Sequence, residues 1–287
     1  MPISHDHHVV PQFYLRGFAD GQRRIRQLSR THRTGRLVAV KRATVEADFY
    51  NVRDAEGAEH DGWEQVLGYI ETRAAPVVQK IVHGVWPLPD NEREMLANWI
   101  AAQYLRTPAF RFVLDQNLDE WRDGIDRRGL DAIRSAVDRS GLSDDNVCGF
   151  WERGSQLYPR GAYQSTNTQL RWFAALLPDT AKALYERAWT LVRFPEPALL
   201  TADNAVVPVE DGDDLHPLAT AARVVLVALD RQHLLQLVAA AQHQDRTVPG
   251  TSEMAFMANA MAVHNADRFV FQHPADDLAN LVWDIPE

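Results

Sequence analysis

Polar side chains that are far apart in this chain are of types that could do chemistry together. His8 opens the run His8-Val9-Val10-Pro11-Gln12-Phe13-Tyr14-Leu15-Arg16-Gly17-Phe18. A neutral imidazole can serve as a base or a metal ligand. It can equally hydrogen-bond the backbone and cap a docked terminus. His5 and His7 add nitrogen nearby and read as disordered surface. Glu64 and Glu71 stand two helical turns apart on one side of an expected helix. Gln103 and Arg106 share a helical face at i, i+3. Thr107-Pro108 should stop that helix, leaving Arg106 near its end. A guanidinium held there suits a bidentate grip on a carboxylate or phosphate. An internal ion pair to Glu64, Glu71 or Asp203 is the competing use. Asp203-Asn204 sits between two expected strands. Such a pair either places a carboxylate in a cleft or bonds its own turn.

Together these groups fit a hydrolase acting on a phosphate-containing substrate, with a metal-dependent nuclease as the narrower version. His8 would be the general base. Asp203 and Glu71 would orient water or, if a divalent metal is the cofactor, ligate it, because hard cations prefer carboxylate oxygens. Arg106 would stabilise phosphate charge. Gln103, Tyr14, Asn204 and Asn259 would contact the substrate. His264, Asn265 and Arg268 are further polar groups at the end of a helix. The same set also fits a non-catalytic module that binds a small anionic ligand, a peptide or a partner protein. A third use is a buried hydrogen-bond network.

The motifs that would narrow this are absent. The sequence holds no glycine-rich phosphate loop, no G-x-G-x-x-G, no H-E-x-x-H and no G-x-S-x-G elbow. Its lone cysteine, Cys148, excludes an internal disulfide and a Cys-rich zinc site. With Val147, Phe150 and Trp151 around it, that thiol reads as inert core. A net charge of −9 opposes phosphates and anionic membranes. Arginines and lysines crowd the first 42 residues, as a solvated hairpin face or an anion-binding surface, so nucleic acid stays open as a partner. The most apolar stretch, Val224 to Ala241, is broken by Asp230-Arg231-Gln232-His233, so no membrane partner is expected. With no leader visible, the expected compartment is the cytoplasm.

Positioning such residues needs a framework. Pro11–Phe18 reads as a short helix whose Pro11, Leu15 and Phe18 share a face and dock the terminus. Arg24–Leu28 and Arg36–Val40 read as a hairpin, with Phe49–Val52 as a third strand. From Asp61 to Val82 apolar residues recur at helical spacing, and Gly84 and Pro87 end the helix. A second helix runs from Asp90 past Tyr104. A third carries Phe110 to Trp121, with Asp115, Asp119 and Asp123 on its other face. More helices are expected over Leu130–Ser140, Asp144–Ser155, Thr166–Leu176 and Thr180–Arg187. Strands follow at Trp189–Phe194, Ala198–Thr201, Val206–Val209 and Arg223–Leu229. Helices at Arg231–Ala241 and Thr251–Ala266 and a strand at Phe269–Gln272 complete the reading.

Strands, then helices, then strands indicate an α+β fold, mostly helical, with an antiparallel or mixed sheet built from N-terminal and C-terminal strands. One domain over 1–287 is expected. Residues 61–187 would be a helical insertion packed on a sheet formed by 20–55 and 188–275.

The residues in order resemble a known family. The run H-x-x-P-x-x-Y-L-x-x-F from His8 is similar to the opening of the DUF4238 family of uncharacterised proteins. So are Asp48-Phe49-Tyr50, the helix bearing Glu64 and Glu71, Gln103-x-x-Arg106-Thr107-Pro108, Thr201-Ala202-Asp203-Asn204, and Asn259 with Arg268-Phe269-Val270. Ala205 stands where the family usually has Pro. The resemblance implies no reaction; it implies that these dispersed polar residues belong to one scheme.

Overall fold

The computed structural model describes residues 6–47, 52–53, 59–60, 62–108, 110, 166–209, 221–239 and 245–283. The fold is α+β. A short strand β1 (Asp6–His8) pairs antiparallel with β4 (Val45–Ala47). Pro11 N-caps α1 (Gln12–Leu15), which tightens into a 3₁₀ turn through Phe18. The expected docking holds: Val10, Tyr14, Leu15 and Phe18 are all buried. Burying a Leu or Phe side chain contributes about 1.5–3 kcal/mol, enough to pin a short segment. Phe13 and Tyr14 pack against Trp99 with ring centroids 5.5 and 5.4 Å apart.

The hairpin β2 (Arg24–Ser29) and β3 (Gly35–Ala39) forms as expected. Its arginines are put to structural use. Arg26, Arg30 and Arg33 donate to the carbonyls of Pro274, Ala266 and Trp283, tying the hairpin to the C-terminal segment. Two short strands, β5 (Val52–Arg53) and β6 (Glu59–His60), pair next. Helix α2 (Gly62–Val82) buries Leu67, Ala74, Val77, Val78 and Ile81. Gly84 ends it at φ +102, with Gly84 N–H donating to Ile81 O and Val85 N–H to Lys80 O. That pattern needs a left-handed residue, which glycine supplies without a Cβ penalty. Helix α3 (Asp90–Leu105) is capped at its end by Arg106.

Helix α4 (Thr166–Tyr185) corrects one expectation. It runs unbroken through Pro178, where two helices were expected. Proline removes one helical bond, but α4 lies along α3, and Phe173, Ala181 and Leu184 reach the core. Tertiary packing outweighs the local cost.

Among the described residues the C-terminal half forms a five-stranded mixed sheet in the order β12-β7-β11-β10-β9: β7 (Ala188–Arg193), β9 (Val207–Val209), β10 (Val224–Ala228), β11 (His233–Val238) and β12 (Arg246–Pro249). Here the expected helix over 231–241 is wrong as far as it is described. His233–Val238 is a strand, hairpinned to β10. Asp230 is the reason: its Oδ1 accepts from the N–H groups of Gln232 and His233 and closes a turn. The leucines after that turn fill both faces of a central strand, so their spacing imitated a helix.

A second, four-stranded antiparallel sheet follows the order β3-β2-β13-β8, with β8 (Thr201–Ala202) and β13 (Phe269–Gln272). This is where N-terminal and C-terminal strands meet, as expected. Helix α5 (Ser252–Asn265) starts at Thr251, whose hydroxyl accepts from Met254 N–H. A short α6 (Leu278–Val282) follows β13. One buried cluster runs from Val10 to Phe271 and takes side chains from α1, α2, α3, α4 and both sheets. The expected strand residues Phe49 to Asn51 lie outside the described residues. So do Cys148, the acidic face at Asp115, Asp119 and Asp123, and nearly all of the third helix.

Candidate functional site

A cleft of about 510 Å³ opens between α2 and the N-terminal segment. Its α2 wall is Glu64, Leu67, Gly68, Glu71, Thr72 and Ala75, one stripe at helical spacing. The facing wall is His8, Gln12, Phe13 and Arg16, and Arg106 completes the lining. His8, Glu71 and Arg106, read from distant parts of the sequence, therefore share one cleft.

His8 is held by a docked strap. Beyond β1, Val9 N–H donates to Thr44 O at 3.0 Å, and the Thr44 hydroxyl both accepts from Val10 N–H and donates to Val10 O. Thr44 does this at φ 59, a left-handed conformation that a β-branched residue rarely adopts. Such strain costs on the order of 1–3 kcal/mol and persists where surroundings over-determine it. His8 Nε2 lies 3.2 Å from Lys41 O and 3.3 Å from the Gln12 amide. A carbonyl only accepts, so the Lys41 contact requires the hydrogen on Nε2. The Gln12 atom is the amide nitrogen, which only donates, so this contact calls for the opposite tautomer and the two contacts compete for the one ring nitrogen. In either tautomer of the neutral ring, one nitrogen keeps a lone pair.

Arg106 is set by its place at the end of α3. Thr107 donates to Tyr104 O and accepts from Phe110 N–H, so the chain turns immediately after Arg106. The guanidinium is almost wholly buried, with its side chain 2% exposed. Nη1 donates to Glu71 Oε1 at 2.7 Å, and Nη2 donates to Gln103 Oε1. Gln103 in turn donates to Val9 O at 3.2 Å. A chain of hydrogen bonds thus runs from the strap through Gln103 and Arg106 to Glu71. The internal ion pair weighed for Arg106 is formed, and Glu71 is its partner. Glu71 stays a quarter exposed, at 25%.

His7 corrects an expectation. It is not surface: the ring is fully buried, and its Nε2 lies 3.4 Å from Glu64 Oε2. Successive residues of a strand point to opposite faces, so β1 sends His7 inward and His8 to the other side. His5 lies outside the described residues.

The other predicted site residues are not brought to the cleft. Asp203 Oδ1 accepts from the N–H groups of Asn204 and Asp267, and Oδ2 from those of Arg268 and Phe269, at 2.7–3.1 Å. Both oxygens are thereby engaged by backbone. Burial raises the carboxyl pKa, and those N–H donors pull the other way. Asp203 thus ties its own turn to the segment that enters β13. Asn204 donates to Asn265 O, and Asn265 donates to Asn204 O and Val206 O. Asn259 accepts from Leu200 N–H and donates to Ala198 O, tying α5 to the chain before β8. The Tyr14 hydroxyl sits 2.6 Å from Thr201 Oγ1, and burial pushes its phenol well above the usual range. Asp203 and Glu71 do not form a joint metal site, and among the described residues no cluster of three or more His, Cys, Asp or Glu could hold a metal ion.

A family profile, for a protein of unknown function (DUF4238), matches residues 6–276. The chain belongs to the DUF4238 family. No curated protein and no solved structure matches it. The DUF4238 match contains the whole cleft lining and the Asp203 turn. The family carries no assigned activity. Reasoning from sequence missed Gln12, Arg16 and Thr72 as lining residues. The i, i+4 spacing of Gln12 and Arg16 on the expected short helix was the signal that could have found two of them. Among the described residues, no helix is long and apolar enough to cross a membrane.

Proposed function

We propose that this protein is a hydrolase acting on a small phosphate-containing substrate held in the α2–strap cleft. The observation that carries the reading is that His8, Glu71 and Arg106 line the same cleft. A volume of about 510 Å³ suits a small ligand, since such sites span roughly 300–1,000 Å³. His8 would take a proton from water as general base, through the ring nitrogen that keeps its lone pair. The water oxygen forms the new bond to phosphorus. The ester bond breaks with its electron pair on the leaving oxygen, which is protonated from solvent. Glu71, oriented by Arg106, would hold the attacking water. This division of labour leaves Asp203 out of the chemistry and needs no joint Asp203–Glu71 metal site.

The test is a screen of phosphate monoesters and diesters with the wild-type protein, His8→Ala and Glu71→Gln. Removing a positioned base typically costs about 10²–10⁴-fold in rate. Turnover that is equal in all three proteins would overturn the reading. Ligand binding without turnover would instead favour a binding module.

A further inference from the structure

Arg106 is committed before any ligand arrives. One of its amino groups serves Glu71, the other serves Gln103, and its charge is offset by the Glu71 carboxylate. A ligand phosphate would meet a guanidinium whose charge is already offset by the Glu71 carboxylate.

The cleft holds a second guanidinium. Arg16 lines it and is exposed, and among the described residues no carboxylate pairs with it. Its backbone is firmly placed. Leu15 and Phe18 beside it are fully buried, and Gly17 packs so closely on Leu229 and Asp230 that a Cβ there would lie 3.0 Å from Leu229 O. The side chain is therefore presented to the cleft from a rigid turn. Gln12 precedes it by four residues, on the same face of α1. The Gln12 amide nitrogen lies 3.3 Å from His8 Nε2, and of its two hydrogens one is left to donate into the cleft. Of the cleft carboxylates, Glu71 faces Arg106 and Glu64 faces His7, so each has a basic neighbour.

We propose that Arg16 is the residue that grips the anionic group of the ligand, with Gln12 as a neutral donor beside it, and that Arg106 is a positioning residue for Glu71. The guanidinium fork of Arg16 matches two oxygens of a phosphate. This assignment rests on the cleft being a phosphate site and names its specificity-determining residue.

Inorganic phosphate is the probe. Calorimetric titration of the full chain with phosphate is expected to show binding that weakens at least tenfold in Arg16→Gln. Arg16→Lys, which keeps the charge but loses the fork, should fall between the two. Arg16 is exposed, so both variants should melt at the wild-type temperature, and that melt is the control for folding. Arg16→Gln binding phosphate within twofold of wild type overturns the assignment, as does a wild-type protein that does not bind phosphate. Phosphate bound through Arg16 with no turnover of any ester leaves the assignment standing and sinks the hydrolase reading. Ester turnover with an unchanged KM in Arg16→Gln does the reverse.

Discussion

Arg106 Nη1 donates to Glu71 Oε1 at 2.7 Å, joining the end of α3 to the middle of α2. The guanidinium is buried and the carboxylate is partly exposed. Removing the arginine leaves a carboxylate that water can reach, but strands Gln103 Oε1. Breaking a buried pair costs about 3–5 kcal/mol, and the partial exposure of Glu71 places Arg106→Ala at or below the low end, about 2–3 kcal/mol. Urea unfolding measures it. Arg106→Lys should recover only part, because an ammonium lacks the fork that serves both partners. A loss under about 0.5 kcal/mol, the scatter of ordinary surface changes, would show that the pair does not hold the cleft wall.

Gln103 is the link between that pair and the strap. Gln103→Leu leaves Val9 O without its side-chain donor. A lost neutral hydrogen bond is worth about 1 kcal/mol, which corresponds to a several-fold rise in local opening. Hydrogen exchange at the amides of Val9 and Val10 should accelerate by that factor, while amides in β10 and β11 stay unchanged. Equal rates in the variant would mean that the strap is held by β4 and Thr44 alone.

Asp203 should behave as a structural residue. Asp203→Asn keeps one acceptor oxygen and replaces the other with a donor, which faces backbone N–H groups. Each buried donor left unsatisfied costs about 1–3 kcal/mol, so the variant should lose about 3 kcal/mol of stability. The folded fraction should bind phosphate as the wild type does. A variant of wild-type stability that has lost binding or turnover would return Asp203 to the site.

Gly17 is required by space. A Cβ there would meet Leu229 O at 3.0 Å and the Asp230 side chain at 3.1 Å. Overpacking of this kind costs about 1–3 kcal/mol. Gly17→Ala should lower the melting temperature, and because it moves the turn that carries Arg16, it should weaken phosphate binding as well. An unchanged melt would show that the turn yields freely.

Much of the frame could be read directly. The stripe of apolar residues on α2, the Gly84 stop, the docked face of Leu15 and Phe18 and the β2–β3 hairpin follow from spacing and turn chemistry. Those signals are local: each rests on residues within a turn or two of one another. The reading failed where a local signal was overridden. Pro178 looked like a break until α3 lay along α4, and the leucines after Asp230 looked helical until β10 paired with them.

By itself the sequence determined which groups this protein has for chemistry and the periodicity of the elements that carry them. His8, Glu71, Gln103 and Arg106 could be named from type and spacing alone. Only the tertiary structure decided what each group is free to do. Asp203 and Glu71 are both carboxylates, but one has both oxygens held by backbone N–H groups and the other lines a cleft. Arg106 and Arg16 are both guanidiniums, but one is buried against its counter-ion and the other is exposed in the cleft. The physical reason is that a lone pair or a donor can be used once. Which neighbour uses it is settled by contacts between residues far apart in the chain, as between Arg106 and Glu71, and no local pattern records them.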